Sequence, residues 1–301
     1  MGLIGGFFLG DWRGLFWDYW GFFGEKRKKS AGMLFCSKIY FYFGWRSELL
    51  EPARHRPMKN LRMLTITFSE EIRPEELEHF RGALVEKVGI QFERYHNHNN
   101  SGNGSPAFHY RYPLIQYQLF RGRPRLLFLE DAIEDARHFF TQPDWDLHMH
   151  EREYRTSIAE LKATQHQVGV TPGQFHHYRL RRWQALNTDN FQEFQSLETL
   201  VEKVGFLERV LSGQLLSFFS GIDHRLPERF QLDITGWDRS WSTYYKGVKV
   251  SLFDITFRAD LRLAPSVGLG KGVSLGFGRV WRAGHDDSSK HRSSAFLKMA
   301  E

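Results

Sequence analysis

One cysteine, Cys36, is all the thiol chemistry available in this 301-residue chain. A lone thiol excludes an intramolecular disulfide framework and a zinc site built on thiolates, and it fits a cytoplasmic setting. Long apolar runs are also lacking. Residues 1–23 are crowded with Gly, Phe and Trp, but Asp11, Arg13 and Asp18 interrupt them. No uninterrupted span reaches the roughly 18 apolar residues of a crossing helix. A secretory signal is argued against because Glu25-Lys26-Arg27-Lys28-Lys29 follows the apolar stretch instead of preceding it, with no small-residue cleavage site after it. No membrane association is expected. A strong charge of one sign is the third absence. The net charge is +6, but residues 1–57 hold nine basic against five acidic residues, so 6 − 4 leaves only +2 for the rest. Nucleic-acid affinity, if present, must therefore come from local patches.

Two such patches exist. Arg121, Arg123 and Arg125 alternate along an expected hairpin, and Arg179, Arg181 and Arg182 sit beside Tyr178 and Trp183. Cations interleaved with rings suit a single-stranded nucleic acid, and a solvated strand face is the competing reading for each.

With 41% hydrophobic residues the chain can build real cores, as one large or two ordinary domains. Residues 1–57 read as an atypical extension translated from an upstream start, with Met58-Lys59-Asn60 as the native beginning. From there the pattern is regular. Leu64, Ile66 and Phe68 alternate as a strand, and Pro74 opens a helix with Leu77, Phe80, Leu84 and Val88 on one face, closed by Gly89. Strands are expected over 110–120 and 126–129 around an Arg121-Gly122 turn, then a helix over 131–140 and a strand over 148–161. That βαββαβ order predicts a ferredoxin-like, RRM-like domain over 58–170.

Thr171-Pro172-Gly173 opens a second half, 171–283, read as another ferredoxin-like domain in an α+β chain. It has a strand over 175–186, then a helical stripe from Leu197 through Leu200, Val204, Leu207 and Leu211 to Leu215, with breaks expected at Gly205 or Gly213. Strands over 229–235, 245–263 and 273–280 complete it. The hexapeptide Leu84-Val85-Glu86-Lys87-Val88-Gly89 recurs as Leu200-Val201-Glu202-Lys203-Val204-Gly205, which hints at duplication. Residues 284–301 form a polar tail.

The densest motif is Gly268-Leu269-Gly270-Lys271-Gly272-Val273-Ser274-Leu275-Gly276-Phe277-Gly278, with five glycines in eleven residues. Such a backbone can approach a ligand closely and turn its N–H groups toward an anion, while Lys271 adds a mobile charge. A P-loop is excluded by Pro265 and by Gly272 directly after the lysine, and the dinucleotide fingerprint lacks its third glycine. The motif reads as a clamp on a nucleic-acid backbone.

Tyr95-His96-Asn97-His98-Asn99-Asn100 holds the candidate chemistry. Two imidazoles titrating near neutrality can share general base and general acid work, which is what cleaving RNA through its ribose 2′-OH requires. An i, i+2 pair diverges on a helix, so joint work needs a loop or strand, and Asn99-Asn100-Ser101-Gly102-Asn103-Gly104 predicts a loop. A polar loop that merely contains histidines is the competing reading. His148 and His150 would share one side of a strand and His176 and His177 opposite sides. No further ligand stands at metal spacing, so neither a metal nor a cofactor is expected.

Four stretches resemble the CRISPR-associated endoribonucleases of the RAMP superfamily that cut precursor CRISPR RNA, in the branch with paired histidines. Residues 77–89 with His96-Asn97-His98 resemble the family's first helix and catalytic segment, and residues 110–117 the strand behind it. Trp183-Gln184-Ala185-Leu186-Asn187 with residues 207–217 is similar to the core of the second domain, and residues 265–278 to the C-terminal glycine-rich loop. Gln214 departs from the pattern, where Asn is expected. The resemblance implies tandem ferredoxin-like domains, metal-independent cleavage and products with a 2′,3′-cyclic phosphate and a 5′-OH. It carries catalysis onto His96 and His98, with Tyr95 or Lys271 assisting, and RNA binding onto the glycine loop. CRISPR repeat RNA is the implied partner; subunits of an effector complex and a second copy of the chain are further candidates. Two other readings compete: a CRISPR RNA-binding subunit that does not cut, and a general RNA-binding protein.

Overall fold

The computed structural model describes residues 58–96, 112–149, 152–227, 229–245 and 248–284. The extension 1–57, His98 and the tail from 285 lie outside the described residues. The first half runs β1 (Met58–Phe68), a 3-10 turn (Pro74–Glu76), α1 (Leu77–Val88), a second 3-10 turn (Glu93–Tyr95), β2 (Ile115–Phe120) and β3 (Arg123–Leu129). A third 3-10 turn (Glu130–Asp135) leads to α2 (Ala136–Phe140), then β4 (Leu147–Met149), β5 (Arg152–Tyr154) and β6 (Ile158–Val170). The second half runs β7 (His176–Trp183), α3 (Thr188–Ser196), α4 (Leu200–Gly221), β8 (Leu232–Tyr245), β9 (Val248–Ala259), β10 (Leu261–Arg262), a 3-10 turn (Val273–Leu275) and β11 (Arg279–Arg282).

Two antiparallel sheets carry the fold, in the orders β10-β6-β1-β3-β2 and β11-β7-β9-β8. With β10 set aside the two orders are the same: last strand, first, third, second. The sheets differ in what covers them. In the first, Leu64, Ile66 and Phe68 face Phe80 and Leu84 of α1 and Phe139 of α2. Leu61 and Met63, one pleat over, join a core with Leu211, Leu215 and Phe218 of α4 and Ile255 and Phe257 of β9. Strand β1 is thus buried on both faces, which is why its apolar residues do not alternate cleanly. Each large apolar side chain buried there is worth about 1.5–3 kcal/mol.

Several expected boundaries move. The strand over 110–120 starts only at Ile115, because Pro113 has no N–H to give to the ladder. The strand over 148–161 divides into the β4–β5 hairpin and the long β6. Helix α4 is preceded by the unforeseen α3 and runs unbroken through Gly205 and Gly213, whose missing side chains face open space. Its apolar stripe outweighs the roughly 1 kcal/mol each such glycine costs. Thr199 and Glu202 start it with reciprocal bonds, Glu202 N–H to Thr199 Oγ1 at 3.2 Å and Thr199 N–H to Glu202 Oε2 at 2.9 Å. The repeated hexapeptide therefore ends α1 but begins α4, so it does not mark equivalent positions. The expected strand over 273–280 is a 3-10 turn followed by β11. The second half accordingly has no helix between its third and last strands; β10 and the glycine-rich segment stand there instead.

Candidate nucleic-acid interface

Strand β2 buries Ile115 and Tyr117 toward the helices, which leaves Gln116 and Gln118, both at 0% exposure, on the opposite side. Buried amides need partners. Gln116 Oε1 accepts the Gly268 N–H at 3.1 Å, and its Nε2 donates to Tyr112 Oη at 2.8 Å. Tyr112 in turn donates to the Gly268 carbonyl at 2.8 Å, and Gln118 Nε2 donates to the Ser266 carbonyl at 2.7 Å. The glycine-rich segment is thus fastened to the first half by side chains about 150 residues away. Arg279 adds a bond to the Leu119 carbonyl. Gly276 meets the backbone of β2 directly: a Cβ there would lie 2.9 Å from the Tyr117 carbonyl, at a φ of +76°.

Part of the loop's backbone is engaged in internal bonds. The N–H groups of Leu269, Lys271, Leu275 and Gly278 bond to the carbonyls of Gly278, Gln184, Gly272 and Arg182, at 2.8, 3.0, 2.8 and 3.0 Å. Gly268 and Gly276 are buried between the halves, Gly270 lies against Trp183, and Gly272 lies against Phe277. What the loop presents outward is the Lys271 side chain, exposed and without a carboxylate partner among the described residues, beside the partly exposed Ser274. The expected departure at Gln214 has a structural purpose. Its Oε1 accepts the indole N–H of the fully buried Trp183 at 2.6 Å, and its Nε2 donates to the Ala185 carbonyl at 3.0 Å.

The other face of β2 holds the histidine segment. Tyr117 donates its hydroxyl to the Tyr95 carbonyl at 3.1 Å, and Arg81 of α1 bonds the His96 carbonyl. His96 is 8% exposed. Its Nε2 lies 2.7 Å from the Ile90 carbonyl, which can only accept, so Nε2 carries the proton. Tyr95, expected to assist the histidines, is a core residue. It is 1% exposed and donates to the Asp135 carbonyl at 2.7 Å, and burial holds its hydroxyl well above the usual tyrosine range. His98 lies outside the described residues.

The arginines separate. Arg121, at a φ of 52°, turns over the Phe120 ring at 5.2 Å, and Arg123 beside it is exposed. Arg125 leaves the expected patch: it is 8% exposed, packed 3.7 Å over Phe120 and bonded to Thr67 Oγ1 at 3.2 Å. Arg181 is half-buried and paired with Asp238 at 2.9 Å and Asp254 at 3.4 Å, so much of its charge is offset. Arg182 is exposed and stacks over Phe277 at 4.8 Å. Arg279 stacks over Trp281 at 4.4 Å and stands opposite Arg181. Its bond to Leu119 links this face of the second sheet to the Arg121–Arg123 turn. Sequence reasoning missed Arg81, Gln116, Gln118 and Arg279; two glutamines alternating inside an apolar strand were the available signal.

His148 is exposed on β4 and His150 lies outside the described residues, while His176 is buried and His177 exposed. Among the described residues no group of three or more His, Cys, Asp or Glu is arranged to hold a metal ion, and no helix is long and apolar enough to cross a membrane.

Family models of the Cas6b N-terminal domain and the Cas6b C-terminal domain match residues 59–167 and 170–283. A crystal structure of Cas6b is similar at a TM-score of 0.61 and 23% identity, over 74% of this chain and 100% of that one. A crystal structure of the CRISPR RNA processing endoribonuclease Cas6b gives 0.54 and 18%, with the same coverage. An uncharacterized protein of Methanocaldococcus jannaschii is 27% identical over 137 residues, 46% of this chain and 92% of its own.

Proposed function

The chain belongs to the Cas6b family, and from that premise we propose that it is an endoribonuclease that cuts precursor CRISPR RNA within its repeats. The observation that carries this reading is the double use of β2, which holds the His96 turn through Tyr117 on one face and the glycine loop through Gln116 and Gln118 on the other. The His96 turn and a cationic loop tip are thereby fixed to one strand. Each half is a ferredoxin-like domain, 58–170 and 171–283, the second with its second helix replaced by the loop.

In the proposed reaction His96 and His98 act without a metal. The ribose 2′-OH gives up its proton and attacks the adjacent phosphorus; the P–O5′ bond breaks, and the departing 5′-oxygen takes a proton. The ends are a 2′,3′-cyclic phosphate and a 5′-OH. With its Nε2 turned to the Ile90 carbonyl, His96 shares the base and acid work with His98. Tyr95 positions this turn from the core. Lys271, Ser274, Arg182, Arg121 and Arg123 contact phosphates, with Arg181 contributing less because of its acidic partners. The loop glycines set the position of Lys271.

Single-turnover incubation with CRISPR repeat RNA in excess EDTA tests the reading, alongside an RNA with a 2′-deoxy ribose just upstream of the cut. Cleavage in EDTA that vanishes with the 2′-deoxy substrate is expected. Tight binding without cleavage would move the protein to the non-cutting CRISPR RNA-binding subunits.

A further inference from the structure

Asp254 of β9 stands between two bulges. On one side Leu180 pairs with Ile255 and Trp183 with Phe253, so Arg181 and Arg182 of β7 share the single place opposite Asp254. On the other side Trp237 pairs with Ile255 and Arg239 with Asp254 itself, which leaves Asp238 of β8 as an extra residue. A bulge takes a backbone group out of the ladder, and that group needs another partner. In β7 the Arg182 N–H goes to a side chain: Asp254 Oδ1 accepts it at 2.7 Å. Arg182 is held there at a φ of 50°, a left-handed conformation that residues with a Cβ disfavour.

The residues from the bulge onward carry the glycine loop. The Arg182 carbonyl accepts the Gly278 N–H at 3.0 Å, and the Gln184 carbonyl accepts the Lys271 N–H at 3.0 Å. Between them the Trp183 ring lies 2.9 Å from where a Cβ on Gly270 would stand. The Arg182 guanidinium covers the Phe277 ring of the same loop at 4.8 Å. Without the extra residue every side chain beyond it would change face, and the fully buried Trp183, bonded to Gln214 of α4, would leave the core. The bulge is thus the seat of the loop, and Asp254 braces it.

A carboxylate at this place works against an anionic ligand. Arg239 stands opposite Asp254, Arg279 stands opposite Arg181, and Asp254 lies 3.4 Å from Arg181, whose charge it offsets together with Asp238. A surface that only attracted RNA would do better with a neutral residue at 254. The bond to the Arg182 N–H accounts for the acid. We propose that Asp254 is a positioning residue of the RNA site: it holds the β7 bulge in the shape on which the glycine loop is seated, and so fixes where Lys271 meets the RNA. The proposal rests on the reading of the protein as an RNA-cutting enzyme.

The test is repeat-RNA binding by the full chain, at a temperature where thermal melts show every variant folded. Asp254→Ala removes both the charge and the acceptor, whereas Asp254→Asn removes the charge and keeps an accepting oxygen. Charge alone predicts that both bind more tightly than wild type. Positioning predicts that they part: Asp254→Ala weaker by about tenfold, the order of a lost hydrogen bond to a charged group, and Asp254→Asn at least as tight as wild type. Lys271→Ala then reads the loop directly. On a single strand it should lower the slope of log K against log salt by about 0.7 in the wild-type and Asp254→Asn backgrounds, and hardly at all in Asp254→Ala, where the contact is already lost. Asp254→Ser, too short to reach the Arg182 N–H, replaces the alanine variant if that one does not fold. Tighter binding by both Asp254→Ala and Asp254→Asn, or a full Lys271→Ala effect in the Asp254→Ala background, overturns the positioning role and leaves the nuclease reading intact. Failure of the wild-type chain to bind repeat RNA overturns both.

Discussion

Trp183 donates its indole N–H to Gln214 Oε1 at 2.6 Å, and this bond joins the start of the glycine-loop platform to the middle of α4. Gln214→Leu keeps the volume but strands both the buried indole N–H and the Ala185 carbonyl. It should lower stability by about 1–3 kcal/mol, read as a shift in the urea midpoint. A neutral result would mean that water satisfies the indole.

Gly276→Ala should be more disruptive than an ordinary loop substitution. Its φ of +76° alone costs an alanine about 1–2 kcal/mol, and the added Cβ would press on the Tyr117 carbonyl at 2.9 Å. A lower melting temperature together with weaker repeat-RNA binding is expected, because the loop tip carrying Lys271 must move. Unaltered binding would detach the loop from RNA recognition.

Tyr95 and His96 are neighbours with different assignments, and paired variants separate them. Tyr95→Phe removes a bond to the Asp135 carbonyl and should cost about 1 kcal/mol of stability with the single-turnover rate preserved. His96→Ala should slow cleavage about 100-fold or more with RNA affinity within a few-fold. A rate loss in Tyr95→Phe matching that in His96→Ala would return the phenol to the chemistry.

Stability should fall on mild acidification. His138, His166 and His176 are all held below 6.5, each by burial first and then by neighbouring cations. The unfolded chain therefore takes up protons before the folded one. Their contribution is complete above about pH 6.5, declines as the pH drops through that value, and levels off once the folded histidines protonate as well. Thermal melts at pH 7.5, 6.5 and 5.5 check this, and a melting temperature that rises over that range of acidification would contradict it.

Helix α1 and strand β1 were legible because they are local: Leu77, Phe80, Leu84 and Val88 repeat with the helical period, and Leu64, Ile66 and Phe68 with the strand period. Helix starts were less so. The same Leu-Val-Glu-Lys-Val-Gly string closes α1 and opens α4, since those residues favour helix without fixing where one begins; the Thr199–Glu202 bonds decide that for α4.

By itself the sequence determined the alternation of strands and helices, the two-part division, the glycine-dense segment and the family resemblance. Only the tertiary structure decided what the glycines do. Gln116 and Gln118 meet Gly268 and Ser266 across about 150 residues, and no local pattern encodes that contact. It also decided that Tyr95 is core and that Arg125 packs against Phe120. Burial and charge compensation are properties of neighbours in space, and those neighbours come from distant parts of the chain.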